Sequence, residues 1–152
     1  MNSEDKPIEF VPKKEEDQIS RKLLAWLNTF PDIPLSIDLI DYEFMDAGAP
    51  GMSMSLVQSA YVVDRFIHGT YTAEYQFKII YRTKPSSPGG RLDADEMLDA
   101  LGGWAAGQTP NIGEGLEVQE LEQTIRSSLF ARIEGGWEDH QIFFRMTYLV
   151  NQ

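Results

Sequence analysis

The most regular pattern in the chain covers residues 71–82, where apolar and polar positions alternate. Tyr71, Ala73, Tyr75, Phe77, Ile79 and Tyr81 fall on one side; Thr72, Glu74, Gln76, Lys78 and Arg82 fall on the other, with Ile80 the one apolar residue among them. Successive side chains of a strand point to opposite faces, so the pattern predicts a long antiparallel strand with one buried and one wetted face. A second β-rich run, residues 54–67, precedes it, with His68 and Gly69 between the two. That spacing predicts a long hairpin of about ten residues per arm, its turn using the positive φ that glycine tolerates.

Two stretches change period. In residues 17–30, Ile19, Leu23, Trp26, Leu27 and Phe30 recur at helical spacing, with Asp17 placed as N-cap and Pro31 as stop. Residues 84–90, KPSSPGG, break the long strand. Beyond them Leu92, Met97, Leu98, Leu101, Trp104 and Ala105 outline the apolar face of a second helix, with Asp93 and Glu96 in a capping-box pattern. Gly102 and Gly103 predict an end or a bend near Leu101, because each costs about 1 kcal/mol relative to Ala inside a helix. Residues 37–45 alternate loosely and read as a strand; residues 46–53 and 108–115 read as loops, and residues 116–121 as a short strand. Residues 128–134 and 140–150 form a second hairpin around GGWED. In its last strand Ile142, Phe144, Met146, Tyr148 and Val150 share a face and Phe143 and Leu149 take the other, as in a central strand covered on both sides.

These elements predict an α+β fold: a mostly antiparallel sheet built from long hairpins and packed by two amphipathic helices. Residues 1–16 are polar and charged and read as a flexible arm, whose short apolar patch, Ile8, Phe10 and Val11, can dock on a neighbour. Residues 17–152 read as one domain. A chain of 152 residues buries roughly 68–70% of its unfolded surface, enough for a core without staples. It has no Cys, which removes disulfides and thiolate chemistry and favours a reducing compartment. No apolar run approaches the roughly 20 residues a membrane span needs, and the acidic N-terminus lacks the apolar region of a signal peptide.

Charge narrows the partners. With 24 acids against 13 bases, the net charge is −11. This argues against specific nucleic-acid binding and anionic membranes, both of which depend on Lys and Arg. It favours solubility and a partner with a basic face.

A catalytic constellation is not evident. His68 at a turn and His140 at a strand entry both read as surface residues. There is no G-x-S-x-G elbow and no phosphate-binding loop: residues 85–91 lack the lysine, and Gly113, Glu114 and Gly115 are too short a signature for a dinucleotide. Asp93, Asp95 and Asp99 begin like a calcium loop, but Met97 and Leu98 stand where a ligand and a glycine are required. A helix N-terminus accounts for Asp93, Asp95 and Glu96 without any metal. In the other cluster Asp41 and Glu43 share one strand face and Asp38 and Asp46 the other, which reads as a solvated strand; convergence of two acids in space stays open. No catalytic, cofactor-binding or metal residue is assigned, and no cofactor is expected.

The order of elements carries a resemblance. A helix with Trp26 and Leu27 is followed by a hairpin whose second arm reads YQFKIIYR (75–82), a helix with Leu98 and Trp104, and a closing hairpin ending FRMTYLV (144–150). Over roughly residues 17–150 this resembles the tail-terminator and tail-completion proteins of tailed bacteriophages, especially the small family called minor capsid protein in phages of Gram-positive bacteria. The resemblance implies a structural, non-enzymatic virion protein without a cofactor. Such a protein assembles as a hexameric ring that caps the tail tube and joins it to head–tail connector proteins, with DNA passing through the ring. An acidic lining would discourage DNA from sticking there. For the subunit interface the exposed strand positions Glu74, Lys78, Arg82, Arg126, Arg132 and Arg145 are the candidates, the few bases pairing with acids on the next subunit. Reversing Arg82 or Arg132 to Glu is then expected to lower ring assembly without unfolding the monomer. The alternative is a small non-catalytic module that holds a peptide or ligand on the sheet face or the Gly-rich loops. An enzyme using carboxylates is the weakest of the three.

Overall fold

The computed structural model describes residues 7–151. The start of the expected arm, residues 1–6, lies outside them. Two helices, α1 (Lys13–Leu27) and α2 (Pro88–Ala105), and five strands, β1 (Ile40–Tyr42), β2 (Gly51–Arg65), β3 (Tyr71–Thr83), β4 (Leu116–Ile133) and β5 (Trp137–Val150), form an α+β fold. The sheet order is β1-β2-β3-β5-β4. Only β1 runs parallel to its neighbour; the other pairs are antiparallel.

Strand β3 follows its sequence pattern, buried and half-buried positions alternating along its length. Its buried set meets the matching set on β5: Phe77 lies opposite Phe144, Tyr75 opposite Met146 and Ile79 opposite Ile142. Phe77 and Phe144 stack with centroids 4.9 Å apart. Both helices cover this face. Leu23 and Leu27 of α1 and Leu98 and Leu101 of α2 are fully buried in the same core, and Trp26 stacks on Trp104 where the helices meet. The opposite face of the sheet carries no helix. Strand β5 is therefore central in the sheet but covered on one side only, with Phe143 and Leu149 half-exposed on the other.

Helix α1 starts at Lys13, four residues before the expected cap at Asp17. Pro12 precedes it without a side-chain cap, and the acids that looked like part of a loose arm hold the helix to the sheet. Glu15 accepts from the Tyr71 hydroxyl at 2.6 Å and the Tyr148 hydroxyl at 2.8 Å. Glu16, 4% exposed, accepts from the Ala60 amide at 2.7 Å. Just ahead of the helix, Val11 is buried and its amide donates to the Ala60 carbonyl, while the Val62 amide donates to the Glu9 carbonyl. Residues 9–11 thus line the free edge of β2.

Helix α2 also starts early. Ser87 is its N-cap, accepting from the Gly90 amide, and Pro88 follows in the first turn, where a missing N–H costs nothing. The Asp93–Glu96 capping box is not used, and Leu92 is 63% exposed rather than part of the apolar face. The helix passes through Gly102 and Gly103 to Ala105. Gly102 is there for close approach, since a Cβ would collide with the Gln123 side chain.

The strand expected at 37–45 shortens to three residues, Ile40–Tyr42. Glu43 leaves it at φ 57, and its carboxylate accepts from the Leu56 amide at 2.9 Å. In contrast, the expected short strand and the first arm of the second hairpin are one strand, β4, of 18 residues with several register shifts against β5. The polar stretch TIRSS that hides this continuity contains a bulge. Asp99 of α2 accepts from the Ser127 amide there at 2.8 Å and from the Gln123 side chain at 3.0 Å, a supply of partners that a disrupted ladder requires.

Candidate assembly surfaces

The candidate surfaces are the uncovered sheet face, a polar cluster between α2 and the start of β5, and the two ends of β2. The uncovered face follows from strand alternation. On β3 it presents Glu74, Gln76, Lys78, Ile80 and Arg82, and on β5 Gln141, Phe143, Arg145 and Thr147 lie beside them. Four of the six expected interface residues therefore share this face, and partners within the chain engage each of them. Glu74 accepts from the Tyr61 hydroxyl at 2.9 Å. Lys78 sits 5.6 Å from the Phe130 ring centroid. Arg82 grips Asp139 with two bonds of 2.8 and 2.9 Å, and reaches the Asp46 carbonyl. Arg145 bonds Glu122 at 2.8 Å. The other two lie on the edge strand β4. Arg132 is 69% exposed and 3.5 Å from Glu138; Arg126 is exposed with no acidic partner among the described residues.

The polar cluster lies where β5 begins. Glu138, Asp139 and His140 are all buried, so His140 is not the surface residue its position at a strand entry implies. Its Nδ1 lies 2.9 Å from Asp95, and its Nε2 faces Glu138 at 3.7 Å without a hydrogen-bond partner. The Ser127 hydroxyl donates to the same Asp95 oxygen. A His–Asp pair with a nearby serine resembles part of a hydrolytic triad. However, the hydroxyl lies on the carboxylate and not on the free imidazole nitrogen, so the geometry of nucleophile activation is missing. Arg91 grips Glu138 with two bonds of 2.9 Å. Burial pushes the Glu138 carboxyl up, but the hydrogen bonds and charges of Arg91 and Arg132 outweigh it and hold it below its ordinary value. The cluster joins α2 to the sheet. Among the described residues, no group of three or more His, Cys, Asp or Glu could hold a metal.

The third surface is split between the two ends of β2. Its far end turns into β3 through a short 3-10 turn, Ile67–Gly69, with His68 at φ 69. Phe66 is 53% and Ile67 79% exposed at this tip. At the near end a cavity of about 220 Å³ opens beside Gly51 and Met52. Leu39, Phe44 and Met45 form part of its wall, and Asp38, Asp41 and Asp46 line it as well. The acids of residues 38–46 thus surround a partly apolar concavity instead of following the two faces of one strand. Leu39 and Phe44 are each more than half exposed. Sequence reasoning had a signal for the tip: in most soluble hairpins the turn is polar, whereas here two large apolar residues adjoin the glycine.

No protein-family model matches the chain, and no curated protein does. Among solved structures, the chain is similar to a chain of one described as the virion of a native gene transfer agent (GTA) particle, with 18% identity and a TM-score of 0.52. The match covers 88% of this chain and 92% of the other. At that identity the likeness shows a shared fold over nearly the whole of both chains.

Proposed function

We propose that this protein is a structural component of a phage or phage-derived particle, acting as a tail terminator or tail-completion protein. In this reading its copies form a ring that caps the tail tube and joins it to the head, and the protein works in the virion at the head–tail junction without enzymatic activity. The observation that carries the reading is the shared fold with a chain of the GTA virion across 88% of this chain, in agreement with the order of sequence elements. The surface supports it as well. A sheet with one helix-covered face, one bare face and two unequal ends offers the distinct patches that head-to-tail ring contacts need.

The concavities give less support to a ligand-binding module. The cavity beside Gly51 holds about 220 Å³, below the roughly 300–1,000 Å³ of ordinary ligand pockets. Two of the larger grooves, along the outer side of α1 and at the hairpin tip, are each walled by a single helix face or a single turn.

Deleting the gene from its particle tests the proposal. Heads should accumulate beside tails that are overlong or irregular and do not join. Joined tails of normal length would refute it.

A further inference from the structure

Most of the chain's bases are already engaged. Lys13, Arg65, Arg82, Arg91, Arg132 and Arg145 pair with acids of the same chain, and Lys78 and Lys84 lie over the rings of Phe130 and Trp137. Among the described residues this leaves Lys14, Arg21, Lys22 and Arg126. The first three share the outer face of α1, at helical spacing and opposite the buried Ile19, Leu23 and Leu27. Two acids border this face: Asp17 is bonded to Lys13 at 2.6 Å, and Glu114 shares a groove with Lys14. Residues 18–31 contain no acid, so Arg21 and Lys22 carry the free charge of the face. Ala25 is exposed beside them and lines the same groove. With the aliphatic stems of the two bases it makes an apolar floor rimmed by positive charge.

Another segment has the opposite character. Residues 23–64 contain no base, and Asp32, Asp38, Asp41 and Asp46 have no ion-pair partner among the described residues. Leu35, Leu39 and Phe44 are each more than half exposed in the same segment. By contrast, the acids of β4 share their strand with Arg126 and Arg132, and those of α2 share their helix with Arg91. The segment is also held in shape. Glu43 accepts from the Leu56 amide, the Phe44 amide donates to the Ser53 hydroxyl, and the Arg82 guanidinium holds the Asp46 carbonyl. Docking therefore costs little ordering. Within one molecule the two patches adjoin, with Arg21 and Tyr42 bordering one groove. Glu15 and Glu16 fix α1 to the sheet, and none of its bases pairs with these aspartates.

We propose that the outer face of α1 on one copy receives residues 35–46 of a second copy, Leu39 and Phe44 lying against Ala25 and the stems of Arg21 and Lys22, whose charged ends meet Asp38, Asp41 and Asp46. Charge selects this occupant: on a chain of net charge −11, the helix face is the cluster of bases not already taken, and the segment is the acidic surface with apolar anchors and no base of its own. Complementary potentials fix such a register and reject wrong ones. Because the two patches differ, the contact is heterologous and repeats around a ring. The inference rests on the ring reading above and names the contact that builds it.

A charge swap on the full chain tests the contact, with assembly followed by light scattering, alone and on isolated tails. Arg21→Glu with Lys22→Glu should raise the concentration needed for assembly at least about tenfold, and so should Asp38→Lys with Asp46→Lys, since each sets like charges against each other. These four side chains are exposed, so the monomer should keep the parent's circular dichroism. All four changes in one chain leave the net charge at −11 and should restore assembly to within about threefold of the parent, a difference of well under 1 kcal/mol. If the parent assembles and neither pair of changes weakens it, or if the combined variant folds but stays as weak as the pairs, the contact is wrong and the ring reading stands. Loss of assembly with the α1 pair alone, the loop pair behaving as the parent, also overturns it and assigns the helix to another acidic partner. If the swap restores only a dimer, the contact holds and the ring reading fails. If the parent forms no oligomer under either condition, both fail.

Discussion

The two faces of the sheet are made by the same strands and differ in almost every physical respect. Along β3 and β5 the odd and even positions separate completely: Phe77 stacks on Phe144 beneath the helices, while their chain neighbours Lys78 and Phe143 lie opposite one another on the bare side. The covered face is closed by shape. Its polar groups pair within the core, as the Tyr75 hydroxyl does with Ser20 at 2.7 Å, with the His140 Nε2 an exception. The bare face is held by charge, with Arg82 on Asp139 and Arg145 on Glu122. The difference teaches that stability and contact-making are divided between faces, so a substitution reports on one or the other according to the parity of its position.

The largest expected effect is on the covered face. Phe144→Ala should cost about 3–5 kcal/mol in chemical denaturation, as large-to-small changes in a packed core do, whereas Phe143→Ala one residue away should cost less than about 1 kcal/mol. Equal costs would mean that the bare face is packed against something in the isolated protein.

Next is Glu16. Glu16→Ala leaves the Ala60 amide buried without an acceptor and should cost about 1–3 kcal/mol, and Glu16→Gln, which keeps a side-chain oxygen, should recover part of it in the same denaturation assay. If both variants match the parent, the contact of Glu16 with β2 is not what seats the helix.

The two arginines expected to behave alike at an interface should separate. Asp139 is 5% exposed beneath Arg82, so Arg82→Ala should lower stability by about 1–3 kcal/mol; Arg132, 69% exposed, should lose no more than about 0.5 kcal/mol. Reversing Arg82 to Glu therefore disturbs the monomer itself, and of the pair only Arg132→Glu remains a clean probe of assembly.

A pH series sharpens the comparison further. Burial first, and then the Glu15 carboxylate, hold the Tyr71 and Tyr148 phenols above their ordinary value; burial does the same for Tyr75. A raised pKa means the folded state keeps protons the unfolded chain would release, so this stability is complete below about pH 10 and declines as pH rises beyond it. Urea midpoints should fall between pH 9 and pH 11 (both about the ordinary phenol value), and Tyr148→Phe should flatten the decline. A small effect of opposite sign is expected on α2. Gly103→Ala meets nothing within 4 Å and should stabilise by about 0.5–1 kcal/mol. Gly102→Ala should gain less or lose, because its Cβ meets Gln123.

Several features of the fold were legible as pattern. The long hairpin, the buried set on β3, the shared face of Ile142, Phe144, Met146 and Tyr148, and the apolar stripe of α1 all follow from periods of two and 3.6. The early start of α2 was missed although a signal was present: residues 84–90 read as a breaker and Asp93 as the cap, whereas Ser87 before Pro88 is a recognised helix opening. What could not be read were features sustained by residues distant in sequence. Glu15 and Glu16 read as part of a charged tail because their partners, Tyr71, Tyr148 and Ala60, lie 44 to 133 positions away. The middle of β4 lost its alternation because Asp99 takes over the hydrogen bonding of its bulge. The burial of His140 and the gathering of acids around the cavity beside Gly51 likewise depend on where α2 and the loop 43–50 come to lie.

By itself, then, the sequence determined which residues face inward along each regular element, because that choice depends only on the local geometry of the backbone and on apolar side chains leaving water. The tertiary structure decided where elements begin and end, which charges are already engaged, and which apolar residues stay uncovered at the two ends of β2. These depend on hydrogen bonds and ion pairs between distant segments, whose formation depends on the rest of the chain already being in place.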